Sequence, residues 1–154
     1  MQAVGITSSL AVPNHRLSAS SSRVAFEPDK ARLHGARAWS PSNDGNPNDF
    51  LQVDLQYEFF ICAVATQGHP YRSPDSWTTK YRLLFSVSGT DWLTYKENGT
   101  EKVGISTCLS EVRYSTDHSR GILIFANVSG SCWMSRACNI SIKTVGHMHN
   151  TWIS

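Results

Sequence analysis

The sequence predicts an all-β protein, an antiparallel β-sandwich or jelly-roll, and three observations support this. Between Phe50 and Trp92, apolar and polar residues alternate in short runs, which is the two-residue period of a half-buried strand. Turn residues such as Asn98-Gly99 separate these runs. No segment carries a sustained 3.6-residue period, so the chain is not expected to contain long helices.

The elements near the N-terminus are short and polar. Residues 18–22 are a run of small side chains, which is consistent with either an extended strand or a linker. Residues 43–48, Asn-Asp-Gly-Asn-Pro-Asn, form a strong turn cluster. Beyond that turn, Leu51, Val53 and Leu55 share one face, which predicts a strand with a single buried side.

The central elements follow at regular intervals. Residues 59–66 are almost continuously apolar, which predicts a central strand buried on both faces. Residues 77–88 alternate, as expected for an antiparallel strand with one wet face, and 88–91 then supply a turn. Asn98-Gly99 is the strongest two-residue hairpin signal in the chain. Two further strands are predicted at 121–128 and 139–145.

Three tryptophans are expected to belong to the core rather than to a binding surface. Trp39, Trp77 and Trp92 occupy strand-like positions that follow the alternation of the sheet. Asp54 and Arg32 are predicted to form an internal ion pair.

Length and charge restrict the class of protein. The 154 residues fit one domain, and the net charge of +2 is spread along the chain. A nucleic-acid-binding protein would cluster its cations, so no nucleic-acid partner is expected. No stretch approaches the ~20 apolar residues of a membrane-spanning helix. The segment 1–10 has neither a basic start nor an apolar run, so no signal peptide is expected within this sequence.

Three N-glycosylation sequons, in contrast, favour a secreted protein. The candidate acceptors are Asn98, Asn127 and Asn139. Because such triplets also arise by chance, they favour secretion only weakly.

The four cysteines are Cys62, Cys108, Cys132 and Cys138. They allow three pairings if all are oxidised, and their spacing matches no zinc pattern. Cys62 lies in an apolar strand segment and is interpreted as a small core residue. Cys132 and Cys138 are consistent either with a short disulfide loop or with free thiols.

Several motifs occur together in a specific order along the first two thirds of the chain. They are Leu17-Ser18-Ala19-Ser20-Ser21, Ala31-Arg32-Leu33, Ala38-Trp39, Asp49-Phe50-Leu51-Gln52-Val53-Asp54-Leu55 and Val64-Ala65-Thr66-Gln67-Gly68. In content and order this set resembles the discoidin family, also called the coagulation factor 5/8 type C domain, with its galactose-binding-like sandwich. The resemblance covers roughly residues 3–102.

The chain departs from the family pattern at both ends. Family members usually bridge a cysteine near the start to one at the finish, but no cysteine precedes Ala3. We therefore predict a discoidin-like domain over 1–102 and a divergent segment over 103–154. That segment either supplies substitute strands or is poorly ordered, and an unfilled sheet would be prone to aggregate.

The resemblance implies a non-catalytic module whose loops at one end of the sandwich bind ligands. The matching loops are 22–30, 34–38 and 68–76. Their candidate ligand-binding residues are Arg23, Val24 and Phe26 in the first loop, His34 and Arg37 in the second, and His69, Tyr71 and Arg72 in the third.

Apolar tips beside arginine suit more than one ligand. They can enter a lipid interface beside anionic phospholipid headgroups, or stack on a glycan whose hydroxyls bond to Arg and His. An extracellular matrix or cell-surface protein is a third partner. The alternatives are an accessory carbohydrate-binding module of a larger enzyme, a purely structural adhesion domain, and loops in which Phe26 and Tyr71 fold back onto the barrel. The expected location is extracellular, secreted or within the ectodomain of a larger protein.

No catalytic motif is present, so an enzyme is not expected. The chain lacks G-x-S-x-G, H-E-x-x-H and a Gly-rich phosphate loop. The chain contains cysteines and histidines that could form a catalytic pair, but their spacing in the sequence does not show whether any two are adjacent in the fold. They are Cys62, Cys108, His69, His118, His147 and His149. No cofactor or catalytic metal is expected. Oxygen ligands for a structural calcium exist in one turn, where an ordinary turn is favoured: Asn43, Asp44, Asn48 and Asp49.

Overall fold

A computed structural model of the chain describes residues 9–10, 12–43, 46–67, 80–105, 109–113, 118–127 and 139–147. Over these ranges the regular structure consists of ten strands and two single-turn 3₁₀ helices, Asn14–Arg16 and Pro28–Lys30. The all-β prediction is therefore confirmed. Within the described part of the chain, no helix is long and apolar enough to cross a membrane.

The strands are listed here in chain order. They are β1 (Leu17–Ala19), β2 (Phe50–Gln67), β3 (Lys80–Ser86), β4 (Leu93–Thr94), β5 (Lys96–Glu97), β6 (Thr100–Glu101), β7 (Val103–Ile105), β8 (Leu109–Arg113), β9 (His118–Asn127) and β10 (Asn139–His147). The two late segments predicted as strands lie in β9 and β10.

Strand β2 organises the fold, and it differs from the prediction. The sequence predicted two strands, 50–55 and 59–66, but the structure has one strand of 18 residues. Polar residues at 56–58 interrupt the apolar pattern between the two predicted strands. In the structure they form a bulge: Gln56 has φ +68°, and the pairing with β9 shifts register between Asp54 and Phe59. Such a bulge bends a strand without ending it.

Because β2 is long, each of its edges pairs with two strands. On one edge, β9 pairs with residues 50–60 and β8 with residues 63–67. On the other edge, β1 pairs with 51–53 and β10 with 59–67. Strand β9 then pairs with β3, and β3 pairs with β4 and β7, all antiparallel. The main sheet therefore runs β1-β2-β9-β3-β4.

The core is built from the faces that the alternation predicted. Leu51 and Val53 of β2 are fully buried, as are Tyr81 and Leu83 of β3. Trp39 is also buried, as predicted, with 1% of its surface exposed. Two other tryptophans were also predicted to belong to the core. Trp92 is only half-buried, and Trp77 lies outside the described residues.

The predicted ion pair between Asp54 and Arg32 is wrong. Asp54 instead pairs with Arg16, with Nη1 and Oδ2 2.9 Å apart. The register explains the difference, since Leu17 lies opposite Val53 and Arg16 therefore lies beside Asp54. The Arg32 guanidinium donates to the Val12 carbonyl at 2.9 Å, which ties the N-terminal segment to the loops.

The Asn98-Gly99 hairpin is confirmed, and its position is unusual. Glu97 pairs with Thr100, so Asn98 and Gly99 are the two turn residues, with φ of +52° and +78°. Strands β4 and β7 both pair with β3 on either side of this hairpin. The hairpin of β5 and β6 is thus an insertion into an edge strand of the main sheet.

Candidate ligand-binding loops

The first two predicted loops form one connected structure. Arg23 donates its backbone N–H to the Ser40 carbonyl at 2.9 Å. Ser40 in turn donates its own N–H to the Phe26 carbonyl at 3.1 Å. The loop at 22–30 is therefore bonded to the segment that follows the loop at 34–38. We call residues 20–42 the loop platform.

The platform also contacts the end of β2. The His34 N–H donates to Oε1 of Gln67 at 2.9 Å, and Gln67 directly precedes the third predicted loop at 68–76. This contact places the second loop beside the end of β2. The turn is tight at Gly35, where an added Cβ would lie 2.9 Å from the Arg32 carbonyl oxygen. A larger residue at 35 would require the backbone to shift.

A buried carboxylate fixes the base of the platform. Asp49 is 2% exposed, and its Oδ1 accepts hydrogen bonds from the Ser20 hydroxyl at 2.7 Å and the Ser21 hydroxyl at 3.1 Å. The Ser20 hydroxyl also accepts the Phe50 N–H at 3.0 Å. These bonds join the end of β1 to the start of β2.

Trp39 and Ser42 both donate hydrogen bonds to Ser21. The Trp39 indole N–H donates to the Ser21 carbonyl at 3.0 Å, and the Ser42 N–H donates to the Ser21 hydroxyl at 3.1 Å. This supporting role of Ser20, Ser21 and Asp49 was not predicted from the sequence. The sequence signals it only through a Ser-Ser pair and an Asp, each next to a strand with a buried face.

The exposed residues of the platform include an aliphatic tip, two basic side chains and several small residues. Val24 is 91% exposed and is followed by Ala25 with φ +68°. His34 and Arg37 are exposed as well. Val24 is therefore the most exposed apolar group of the first loop, and a histidine and an arginine are exposed on the second.

The other predicted binding residues are placed differently. Arg23 and Phe26 are half-buried, so Phe26 is partly folded back rather than fully projecting. His69, Tyr71 and Arg72 lie outside the described residues, and their binding role stays a prediction. Three residues considered for a cysteine–histidine pair, Cys108, His69 and His149, also lie outside the described residues, as do Cys132 and Cys138.

Glu27 holds the tip of the first loop. Its Oε1 accepts the Ala25 N–H at 2.9 Å, which supports the left-handed conformation of Ala25. Hydrogen bonds from the backbone N–H groups of Glu27 itself and of Ala25 lower the pKa of the Glu27 carboxyl below its ordinary value of 4.5. The ionised side chain is thus part of what presents Val24.

The Glu27 contact predicts an acid-sensitive loop. The pKa of Glu27 is lower in the folded protein than in the unfolded chain. The stabilisation by its ionised carboxylate is therefore complete above pH 4.5, and it is lost as the pH falls through the folded pKa. We expect Glu27→Gln to flatten part of the decline in melting temperature between about pH 6 and about pH 3. Thermal unfolding of both proteins across that range measures it. Identical pH profiles would contradict the assignment.

The turn at 46–49, part of the segment considered as a calcium site, is stabilised by its own hydrogen bonds. The Asn48 N–H donates to Oδ1 of Asn46 at 3.1 Å, and the Asp49 N–H donates to the Asn46 carbonyl at 3.3 Å. Asp49 itself bonds to the two serines. Across the residues that the structure describes, no group of three or more His, Cys, Asp or Glu is arranged to hold a metal ion.

A strand sandwich with a fixed loop platform at one end defines the class: a β-sandwich domain of the discoidin type. Residues 16–118, about two thirds of the chain, match the F5/8 type C domain family. The chain belongs to that family. The resemblance seen in the early motifs is therefore confirmed, and the match extends beyond residue 102.

Similar proteins include two human relatives. The chain is 32% identical to Neuropilin-2 of Homo sapiens over 130 residues, which are 80% of this chain and 14% of that protein. It is 44% identical to Contactin-associated protein 1 of Homo sapiens over 72 residues, which are 47% of this chain and 5% of that protein. The chain therefore spans only a small fraction of the length of these relatives.

Solved structures show the same fold at low identity. Recombinant discoidin II of Dictyostelium discoideum aligns with a TM-score of 0.70 and 16% identity, covering 96% of this chain and 60% of that one. Chitosan-binding module 1 from the chitosanase/glucanase of Paenibacillus sp. IK-5 aligns with a TM-score of 0.61 and 16% identity, covering 82% and 92%. The family 32 CBM from C. perfringens NanJ, solved with galactose, aligns with a TM-score of 0.56 and 16% identity, covering 86% and 96%.

Proposed function

We propose that this protein is a non-catalytic, extracellular binding or adhesion module that recognises its ligand through the loop platform and the third loop at 68–76. The observation that carries the proposal is Val24. An aliphatic side chain that is 91% exposed has no role in the core of this domain. The platform beneath it is nevertheless bonded at several points, which is typical of a preorganised binding loop.

The charges of the platform restrict the ligand. His34 and Arg37 are exposed on the second loop, and the segment that follows this loop is bonded to the loop that carries Val24. An apolar tip near an arginine suits the interface of an anionic phospholipid surface, where each basic residue contributes ~1 kcal/mol. Arg37 and His34 are also hydrogen-bond donors for the hydroxyls of a glycan or for the acidic groups of a matrix protein.

The descriptions of two structural neighbours favour a glycan as the ligand. One neighbour is described as a chitosan-binding module, and another was solved with galactose. The first derives from a chitosanase/glucanase, which also supports the alternative of an accessory module in a larger enzyme. Identities of 16% carry the fold alone, so the ligand of this chain has to be measured.

Substitution of Val24 tests the proposal. We expect Val24→Ser to weaken binding to the ligand surface about tenfold or more, since a buried valine contributes ~1.5–3 kcal/mol. Leu93→Ser is the matched control, because Leu93 is 77% exposed on β4, at the edge of the sheet opposite β1. Neither change is expected to lower the melting temperature much.

Two parallel assays identify the ligand class. Sedimentation with phosphatidylserine-containing vesicles should show salt-sensitive binding that Arg37→Ala weakens, if the ligand is an anionic membrane. A glycan array should show salt-insensitive binding that a free monosaccharide inhibits, if the ligand is a sugar. Immobilised matrix proteins form the third arm. If Val24→Ser and Leu93→Ser bind as the parent does in every arm, the platform is not the binding surface.

A further inference from the structure

We propose that Asn98 carries an N-linked glycan, and that this glycan shields the edge of the main sheet formed by β4 and β7 while leaving the loop platform accessible. The inference rests on the proposed extracellular location, because the attachment occurs in the secretory pathway. The argument comes from where the fold places the three sequons.

Two of the sequons begin at strand residues that pair with the two ends of the segment containing the third predicted loop. Asn127 pairs with Lys80, and Asn139 pairs with Gln67. Gln67 and Lys80 are the strand residues that flank the segment containing this loop. A glycan on Asn127 or Asn139 would therefore stand next to the proposed binding surface.

Asn98 is placed in the hairpin that is inserted into the sheet edge formed by β4 and β7. It is exposed at the first position of a two-residue turn in which both residues have positive φ, as in a type I′ hairpin. Thr100, the third residue of the sequon, is exposed as well. The hairpin is inserted between β4 and β7, while the platform continues from β1 at the opposite end of the strand order β1-β2-β9-β3-β4.

The hairpin is held in a fixed position. Tyr95 at its base contacts Phe85 of the core edge-on, with ring centroids 5.9 Å apart. The Lys102 N–H donates to the Tyr95 carbonyl at 3.2 Å, and Lys102 Nζ lies 2.7 Å from Oε2 of Glu97. A glycan on Asn98 would therefore project from a defined point of the sheet edge.

The sheet edge formed by β4 and β7, beside this hairpin, would be protected by a glycan. In the part of the chain that the structure describes, β4 and β7 pair only with β3. Leu93 in β4 is 77% exposed. An exposed edge strand with an apolar side chain is a template for pairing with a second copy, and a bulky hydrophilic group beside it prevents that pairing.

The sequon is best tested at Thr100, because Thr100→Ala removes it without changing the positive-φ residues of the turn. Thr100→Ser is the matched control, since it keeps the sequon. The full chain, directed to the secretory pathway of a eukaryotic cell, is recovered from the medium and analysed by glycopeptide mass spectrometry. We expect Asn98 to be occupied in the parent and in Thr100→Ser, and unoccupied in Thr100→Ala.

Two further measurements test the shielding and the separation from the binding surface. At equal concentration, Thr100→Ala should self-associate more than Thr100→Ser in analytical ultracentrifugation, while both bind vesicles or array glycans equally. An unmodified Asn98 in secreted parent protein would overturn the inference and leave the proposed function standing. Equal self-association despite a glycan would overturn the shielding role. A secreted, modified chain that binds in none of the assays would overturn the proposed function alone.

Discussion

Trp39→Ala is expected to lower the free energy of unfolding by about 3–5 kcal/mol, the largest effect of any single change considered for this protein. Trp39 is 1% exposed and belongs to the core cluster that includes Leu51 and Val53. Its removal leaves a cavity at the point where the loop platform meets the sheet. It also leaves the Ser21 carbonyl without its indole donor.

Trp39→Phe separates these two contributions. Phenylalanine keeps most of the buried aromatic surface but cannot donate to Ser21, so we expect a smaller loss, about 1–3 kcal/mol. Denaturant titration followed by circular dichroism measures both variants. If Trp39→Ala costs less than about 1 kcal/mol, Trp39 does not carry the packing that the structure assigns to it.

Asp49→Ala should be the second most damaging change, with a loss of about 2–4 kcal/mol. The buried carboxylate accepts bonds from the hydroxyls of Ser20 and Ser21. Alanine removes the acceptor that joins the end of β1 to the start of β2. For a domain of this size, the melting temperature should fall by roughly 5–15 °C. Ligand binding through the platform should weaken as well, because the platform begins at Ser20.

Asp49→Asn is the control that keeps the shape. Its amide oxygen still accepts from both serines, so its loss of stability should be clearly smaller than that of Asp49→Ala. Thermal unfolding of the two variants, each alone and with the identified ligand, makes the comparison. Equal losses for the two would show that the charge, rather than the hydrogen-bond geometry, is what matters at this position.

The sheet was predictable from the sequence because its signals are local. Alternation at Leu51, Val53 and Leu55 reports directly on a buried face, since successive side chains in a strand point to opposite sides. Asn98-Gly99 predicted its hairpin for an equally local reason, because few other residue pairs adopt two consecutive positive φ angles at low cost. The exposed position of Val24 was also anticipated, through the resemblance of the loops to those of a known family.

The errors arose where pairing partners are distant in the sequence. Asp54 was assigned to Arg32, but the register of β1 against β2 places Arg16 beside it. Two strands were predicted where β2 is continuous, because the strand β9 that pairs on both sides of residues 56–58 lies more than 50 residues later in the chain. No local pattern contains that information.

By itself, the sequence determined the class of fold, the faces of the main strands, the hairpin turn and the family to which the chain belongs. Each of these depends on periodicity, turn chemistry or ordered motifs, which neighbouring residues express together. Only the tertiary structure decided that β2 is continuous, that Asp49 and Trp39 anchor the loops, and that the Asn98 hairpin is inserted between β4 and β7. Strand order and register decide those features, because hydrogen bonds between strands join residues that the sequence keeps far apart.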